Sequence, residues 1–348
     1  MRFLLILLAA VAGAPACFGQ QITTDPALLA HQLTNPYQKE RDKVEAVYRW
    51  VAQHISYRVP PAKKSAGTEK DYYEEFTDTG SVLLPLNDRV ARHVLQKKTA
   101  VCDGYARLFK CLCDYAGLRC EIVRGYARTY RQRPGKYFRS NHSWNAVMID
   151  STWQLLDVTW ASGYFTEGSN HFVPWFDEFY FLTPPQDFIL DHFPEDLQWT
   201  LLKNFSLPEE FVNSPFKYAA FSRLNVKQSL PGGGIINCHA GDSIVFEITL
   251  PEAPLQFLVS TLPDADTAAS AQQHFQVFPE KSGVRAVYTY RPDFFAQRDS
   301  HTLGDSHWLY VILNEQVILR YYLNIKHEAS HLVETQADSG LLLFWHDN

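Results

Sequence analysis

The sequence has no excess of basic residues. Its 348 residues include 32 Lys and Arg against 38 Asp and Glu, which gives a net charge of -6 at pH 7. Because phosphate backbones are bound mainly by basic side chains, this balance argues against a nucleic-acid partner. Internal repeats with a period of roughly 20 to 50 residues are also absent from the sequence, which argues against solenoids and propellers.

Long hydrophobic runs are absent after the first twenty residues. The run near the start, Phe3 to Ala12, is shorter than the ~20 residues that a membrane-spanning helix needs. With Arg2 before it and small residues after it, this run predicts a secretory signal peptide over residues 1–20. An uncleaved membrane anchor is the alternative that its length disfavours. We therefore expect an exported protein, periplasmic or secreted, with no transmembrane segment.

Cysteine is scarce as well, with six residues in the chain. Cys17 raises the alternative of a lipid anchor at the membrane surface, although Ala14 stands where bacterial lipoproteins usually carry Leu. Removal of Cys17 with the leader leaves five cysteines, so at least one thiol stays free or pairs between chains. Cys111 and Cys113 point to nearly opposite faces of a predicted helix, where they cannot chelate one metal. We expect both to be buried apolar groups.

The apolar content of 46% and the aromatic content of 14% predict a folded chain, long enough for two domains. In the first domain, residues 21–212, apolar spacing predicts helices over residues 39–54 and 88–96 and a central helix from Cys102 to Gly117. Runs of β-branched and aromatic residues predict strands that pack against this helix, over residues 119–130, 143–149 and 153–159. The first domain is therefore predicted to be α+β, with proline-rich loops over residues 171–212 wrapping it.

The pattern of apolar and polar residues changes near residue 213. Short alternating runs predict strands over residues 243–250, 256–260, 283–290, 308–313 and 316–324. Their spacing and turn residues predict an antiparallel β-sandwich over residues 213–328, which resembles an immunoglobulin-like module. Residues 329–348 are a weakly specified C-terminal tail.

Three polar residues stand at positions that favour nucleophilic chemistry. Cys102 lies at the start of the central helix, where free backbone N–H groups and the helix dipole favour a thiolate. His142 and Asp157 lie on two predicted strands joined by the polar pair Asp150-Ser151. A two-residue turn there makes His142 and Asp157 diagonal neighbours on one face of a hairpin, so the carboxylate can orient the imidazole.

A nucleophile beside a base that a third group orients is the usual arrangement for acyl transfer through a covalent intermediate. Cys102 would attack a carbonyl carbon, His142 would transfer the proton and Asp157 would hold the tautomer. Taken singly, each has an ordinary alternative as a buried thiol, a strand histidine or a turn carboxylate. The oxyanion would be met by the Cys102 backbone N–H and by a second donor, which the sequence leaves open among Trp50, His54 and Tyr57.

These blocks resemble the transglutaminase-like superfamily, a circularly rearranged relative of papain-like cysteine proteases, and within it the kyphoscoliosis peptidase branch. The resemblance covers about residues 40–205 and includes the Cys102 block, a His-x-Trp-Asn block at His142, an Asp-x-Thr-Trp block at Asp157 and a later Phe-Pro-Glu-Asp-x-x-Trp segment. Ser143 departs from the branch, which more often has Ala before the Trp. The resemblance implies a papain-like core, the triad Cys102, His142 and Asp157, and acyl transfer without a metal or cofactor.

Two classes of function follow. The first is an exported thiol hydrolase that acts on peptide or isopeptide bonds of a protein or peptide substrate, with cross-linking by an amine as a variant of the same chemistry. The second is a non-catalytic protein that grips an extended peptide in an aromatic groove. An intact triad favours the enzyme, because a pure binder does not need a site that stabilises a thiolate.

Overall fold

The computed structural model describes residues 23–58, 84–129, 132–135, 139–166, 171–205, 207–239, 242–251, 256–260, 275–280, 283–289 and 306–326. Its helices, in chain order, are α1 (Pro26–Thr34), α2 (Glu40–His54), α3 (Leu86–Lys97), α4 (Cys102–Tyr115), α5 (Val158–Ala161), α6 (Pro185–Phe188), α7 (Pro208–Asn213) and α8 (Ala219–Arg223). In this described part of the chain, no helix is long and apolar enough to cross a membrane. The predicted signal peptide, Cys17 and the tail at residues 329–348 lie outside it.

Strands β1 to β8 belong to the first part of the chain: β1 (Ser56–Tyr57), β2 (Thr99–Ala100), β3 (Cys120–Ala127), β4 (His142–Ile149), β5 (Thr152–Leu156), β6 (Gly163–Phe165), β7 (Phe172–Pro174) and β8 (His192–Pro194). Four of them form a sheet in the order β5-β4-β3-β8. The short strands β1 and β2 pair in parallel, and β6 and β7 form a hairpin.

The three predicted helices form where their apolar periodicity places them. Val44, Val47 and Val51 line the buried face of α2, while the central helix α4 is buried along most of its length. At its end Gly117 adopts a positive φ of 73°, which glycine tolerates best, and the helix stops. The helix α1 was not predicted, although Asp25 caps it by accepting a hydrogen bond from the Ala27 N–H at 2.9 Å.

The predicted hairpin register is confirmed, because β4 and β5 pair Ile149 with Thr152. The turn residues Asp150 and Ser151 both have positive φ, as a two-residue hairpin turn of the primed type requires. The predicted strand over residues 153–159 is wrong at its end. Asp157 lies outside the strand and caps α5, because its side chain accepts hydrogen bonds from the backbone N–H groups of Thr159 and Trp160.

The prolines in residues 171–212 limit the regular elements to short ones, as the sequence predicts, but they do not leave only loops. This stretch contains β7, α6, β8, most of α7 and two single turns of 3-10 helix, Glu178–Tyr180 and Leu197–Thr200. β8 lies at the edge of the central sheet, next to β3.

The later strands are β9 (Phe216–Lys217), β10 (Gln228–Leu230), β11 (Ile235–Cys238), β12 (Ser243–Thr249), β13 (Phe257–Ser260), β14 (Phe275–Glu280), β15 (Gly283–Thr289), β16 (Ser306–Leu313) and β17 (Gln316–Ile325). They form two sheets, β10-β12-β15-β14 and β11-β17-β16-β13, with β9 on β17. Both sheets contribute to one hydrophobic core, in which the rings of Phe246 and Tyr321 lie 5.5 Å apart. All five predicted strands are present.

One pairing departs from the antiparallel arrangement that the sequence predicts, because β11 and β17 run parallel. The immunoglobulin-like character of this region stays a prediction. The sequence analysis did not predict four of the later strands: β9, β10, β11 and β14. Strands β9, β10 and β11 have only two to four residues each. On β14 the described side chains, Gln276 to Pro279, are all exposed, so this strand lacks the alternation that reveals a half-buried strand.

The chain divides into two compact units that interleave along the sequence. The first runs to Gly125 and includes Asn141–Phe188 and Pro194–Leu201. The second contains Tyr126–Ser140 and Ile189–Phe193 as well as the chain from Leu202 onward. The predicted boundary after residue 212 stays a prediction, and local patterning did not indicate that two earlier segments pack with the later chain.

Candidate active site

Cys102 occupies the first position of α4, as predicted. Cys102 is half-buried, whereas the other four described cysteines are buried. All five are free thiols. Position one of a helix leaves the backbone N–H without a partner inside the helix, and the helix dipole favours negative charge there. By contrast, burial and the nearby acidic side chains of Asp88 and Asp114 raise the pKa of Cys111 to about 12. Cys102 is therefore the thiol that combines access with a helix start.

His142 begins β4 and lies beside Asp157. The His142 Nε2 and Asp157 Oδ2 atoms are 2.6 Å apart, and both side chains are buried. The Cys102 side chain lies close enough to the His142 ring to raise the pKa of His142. Since Asp157 occupies Nε2, this leaves Nδ1 for the sulfur, which is the geometry of a base held between a nucleophile and an orienting group.

The pKa of His142 follows from these neighbours. Burial by itself lowers the pKa of a histidine, but the charge of Asp157, its hydrogen bond and the Cys102 side chain together raise the pKa of His142 to about 10. The imidazole is therefore protonated at neutral pH in this arrangement. A thiolate and imidazolium pair needs such a proton on the ring.

Asp157 is held rigidly by its own backbone environment. Its Oδ1 accepts hydrogen bonds from the N–H groups of Thr159 at 2.7 Å and Trp160 at 3.0 Å, and its N–H donates to the Tyr180 carbonyl at 3.0 Å. The carboxylate thus has one oxygen for the cap of α5 and the other for His142. A carboxylate fixed in this way orients the imidazole without a flexible side chain between them.

Two tryptophans flank the His142 ring, and the sequence analysis did not identify them as site residues. The ring centroid of Trp144 lies 6.2 Å from that of His142 with an interplanar angle of 29°, and that of Trp160 lies 5.7 Å away at 45°. Trp144 is 1% exposed. The signal was present in the His-x-Trp and Asp-x-Thr-Trp blocks, in which each tryptophan stands two or three residues after a triad candidate. These rings restrict the orientation of the imidazole and exclude water from it.

The structure separates the three candidates for the second oxyanion donor. Trp50 and His54 stack on each other with ring centroids 4.7 Å apart, and the His54 ring hydrogen-bonds the Trp50 carbonyl at 2.8 Å. Tyr57 instead stacks on Tyr105 of α4, at 6.4 Å. The Tyr57 ring thus contacts the helix that Cys102 begins. The identity of the donor stays a prediction.

Known proteins are similar to this chain over the segment that contains the three site residues. Residues 27–158, which include all three site residues, match the transglutaminase-like superfamily. Kyphoscoliosis peptidase from Mus musculus is 31% identical over 229 residues, covering 65% of this chain and 32% of that protein. The Homo sapiens protein of the same name is 31% identical over 232 residues, covering 66% and 32%. The sequence resemblance to the superfamily is confirmed.

A third relative, hillarin from Drosophila melanogaster, is 33% identical over 147 residues, which is 38% of this chain and 18% of that protein. The chain spans about a third of the length of the kyphoscoliosis peptidases it matches. Among solved structures, a TGase aligns with a TM-score of 0.25 and 20% identity, covering 47% of this chain and 40% of its own. At that score the structural alignment carries no argument about function.

Proposed function

We propose that this protein is a cysteine-dependent acyl-transfer enzyme that hydrolyses peptide or isopeptide bonds, with Cys102, His142 and Asp157 as its catalytic triad. The observation that carries the proposal is the buried contact of 2.6 Å between His142 Nε2 and Asp157 Oδ2, on a ring whose pKa the nearby Cys102 side chain also raises. The match of residues 27–158 to the transglutaminase-like superfamily supports the same chemistry. Export through residues 1–20 remains part of the proposal.

The first half-reaction acylates the enzyme. The Cys102 thiolate attacks the scissile carbonyl carbon, a C–S bond forms, and the carbonyl π electrons move to oxygen. The backbone N–H at the start of α4 donates to this oxyanion. Collapse of the tetrahedral intermediate breaks the C–N bond, and the proton on His142 Nδ1 passes to the leaving amine. A thioester remains on Cys102.

The second half-reaction releases the acyl group. Water attacks the thioester carbon, its proton returns to His142, and the C–S bond breaks to give a carboxylic acid and the thiolate. An amine in place of water would give cross-linking with the same residues. Asp157 stays ionised throughout and stabilises the imidazolium.

Alkylation of the full chain by iodoacetamide tests this proposal without a known substrate. We expect peptide mapping to find Cys102 labelled first at pH 7, faster than free cysteine, and His142→Ala to slow this labelling. Cys238→Ser is the matched control, because burial raises the pKa of the Cys238 thiol and its loss should not change the labelling rate. Labelling of Cys102 at the rate of free cysteine, with no effect of His142→Ala, would show that the residue is an ordinary thiol.

Active protein should then be tested for turnover with a peptide library in the presence and absence of a primary amine. Release of free carboxyl termini supports hydrolysis, whereas incorporation of the amine assigns the chain to cross-linking. A reactive Cys102 that binds peptides and never turns them over would favour the non-catalytic alternative.

A further inference from the structure

A cluster of aromatic rings lies beside the first turn of α4. We name the set Tyr57, Phe165 and Phe172 the aromatic rim. The Tyr57 ring centroid is 5.5 Å from that of Phe165, with the rings nearly perpendicular, and 6.1 Å from that of Phe172. Phe165 and Phe172 are 5.7 Å apart. These distances fall in the range at which aromatic pairs attract each other.

Two contacts fix the rim next to Cys102. The strand β1 places Tyr57 opposite Ala100 in β2, two residues before the nucleophile. On the other side Tyr57 stacks on Tyr105, which lies about one helical turn after Cys102. Tyr105 is itself anchored, since its hydroxyl donates to the Ile55 carbonyl at 2.5 Å. The rim therefore flanks the turn of α4 at which the acyl group would be held.

The hairpin of β6 and β7 holds the other two rings and follows the triad along the chain. Asp157 caps α5, and β6 begins two residues after that helix ends, at Gly163. Gly163 has a φ of 156°, and a Cβ there would lie 2.2 Å from the Val173 carbonyl oxygen and 2.6 Å from the Phe172 ring. Only glycine fits this close approach. The Phe172 ring is thus seated directly on the hairpin backbone.

The rim differs from the buried core in that it is open. Tyr57, Phe165 and Phe172 are each half-buried, whereas the nearby core rings of Tyr105 and Phe109 have no exposed surface. The three rings of the rim carry no charge at neutral pH and offer mainly apolar surface. Burial of a charged side chain against it would cost its hydration, while burial of an apolar one is favourable.

We propose that the aromatic rim is a substrate subsite that binds a large apolar or aromatic side chain next to the scissile carbonyl. The inference rests on the proposed acyl-transfer function and assigns its substrate class: peptides with Phe, Tyr, Leu or a similar residue at the position that contacts the rim. Peptides with Gly or Asp at that position bind weakly, because Gly leaves the rings uncovered and Asp brings a carboxylate against them.

The test uses four peptidyl vinyl sulfones that differ only in the residue next to the reactive group: Phe, Leu, Gly and Asp. The Cys102 thiolate adds to the vinyl carbon, and the carbon beside the sulfone takes up a proton, so each rate reports binding at the site. We expect the Phe and Leu probes to react about 10- to 100-fold faster than the Gly probe, with Asp slowest. Each rate is divided by the iodoacetamide rate of the same variant, which removes differences in thiol reactivity.

Substitutions in the aromatic rim test whether its residues cause the preference for apolar side chains. Phe165→Ala and Phe172→Ala should lower the ratio of the Phe rate to the Gly rate towards one, and Phe172→Leu serves if Phe172→Ala does not fold by circular dichroism. Tyr115→Ala is the matched control, an exposed aromatic residue at the far end of α4. Equal rates for all four probes, or a preference that survives the rim substitutions, would overturn the subsite alone. No reaction of Cys102 with iodoacetamide would overturn the proposed function and the subsite with it.

Discussion

At the scale of the residue, the properties of His142 come from neighbours more than from burial. Burial favours the neutral ring, yet the charge of Asp157, its hydrogen bond and the Cys102 side chain outweigh this and raise the pKa of His142 to about 10. The two flanking tryptophans keep the ring in the plane that serves both partners. The protonated ring is then available to pair with a thiolate before substrate arrives.

Replacement of Asp157 tests its orienting role. Asp157→Asn keeps a side-chain oxygen for the cap of α5, so we expect a folded protein whose turnover falls about 10- to 10³-fold. The loss should be smaller than the ~10⁴-fold of the equivalent change in a serine protease, because a thiolate can form before the attack. Steady-state kinetics on the best peptide should rank Cys102→Ser and His142→Ala as more damaging. Unchanged turnover in Asp157→Asn would indicate a Cys-His dyad.

The raised pKa of His142 predicts a pH dependence of stability. Because the folded-state value of about 10 lies above the ordinary value of 6.5, the stabilisation from the protonated pair is complete below pH 6.5 and is lost as the pH rises towards 10. The Tm of Asp157→Asn should therefore fall furthest below that of the wild type near pH 6, and the gap should close near pH 10. Thermal melts followed by circular dichroism at several pH values measure it. A gap that widens with pH would contradict a protonated His142.

At the scale of the element, the spacing of Cys102 and His142 depends on how α4 packs against β4. Asn145, three residues after His142 and fully buried, lies in this interface. Its Nδ2 donates to the Ala106 carbonyl of α4 at 3.1 Å and is 3.3 Å from the Glu121 carbonyl of β3. The Asn145 side chain therefore connects α4, the helix that Cys102 begins, to strands β3 and β4. In the His-x-Trp-Asn block, Asn145 thus holds α4 in position on the sheet.

Substitution of Asn145 should separate loss of hydrogen bonds from introduction of charge. Asn145→Leu removes the donors from a buried site and should cost about 1–3 kcal/mol of unfolding free energy. Asn145→Asp sets a carboxylate against two carbonyl oxygens and should cost more, about 3–5 kcal/mol. Urea unfolding measures both. Gln53→Glu makes the same amide-to-carboxylate change at an exposed position and should stay within about 0.5 kcal/mol. Equal effects of all three would exclude a tie through Asn145.

At the scale of the whole molecule, the second compact unit is assembled from separate parts of the chain. The buried Arg128 lies in one of its early segments, and its guanidinium donates to the Phe211 carbonyl at 2.9 Å and to the carbonyl and hydroxyl of Ser214. Burial lowers the pKa of Arg128 to about 10. A buried cation without these acceptors would be costly, so the early segment and the chain after residue 202 depend on each other.

Limited proteolysis should show this dependence. A cut between about residues 205 and 210, near the predicted domain boundary, should give two bands on a denaturing gel while the native protein still elutes as one species. The contacts of Arg128 span such a cut and hold the pieces together. Pieces that separate on a native column would show that Tyr126–Ser140 is not needed by the later chain.

Much of the local structure around the site was determined by the sequence alone. The starts and ends of α2 and α4 follow from apolar periodicity and from Gly117, and the register of β4 on β5 follows from the Asp150-Ser151 turn. That register brings the end of β5 near β4, and the cap of α5 then places the Asp157 carboxylate at His142. These features depend on residues near one another in the chain, whose spacing the sequence displays directly.

Tertiary structure alone decided the features that depend on residues distant in the chain. The rings of Tyr57 and Phe172, more than a hundred positions apart, meet in the aromatic rim. The parallel pairing of β11 with β17 and the packing of Tyr126–Ser140 with the later chain likewise have no local signature. Such contacts form because burial of apolar surface and satisfaction of buried polar groups are non-local requirements. A pattern within one segment does not identify the segment that will meet them.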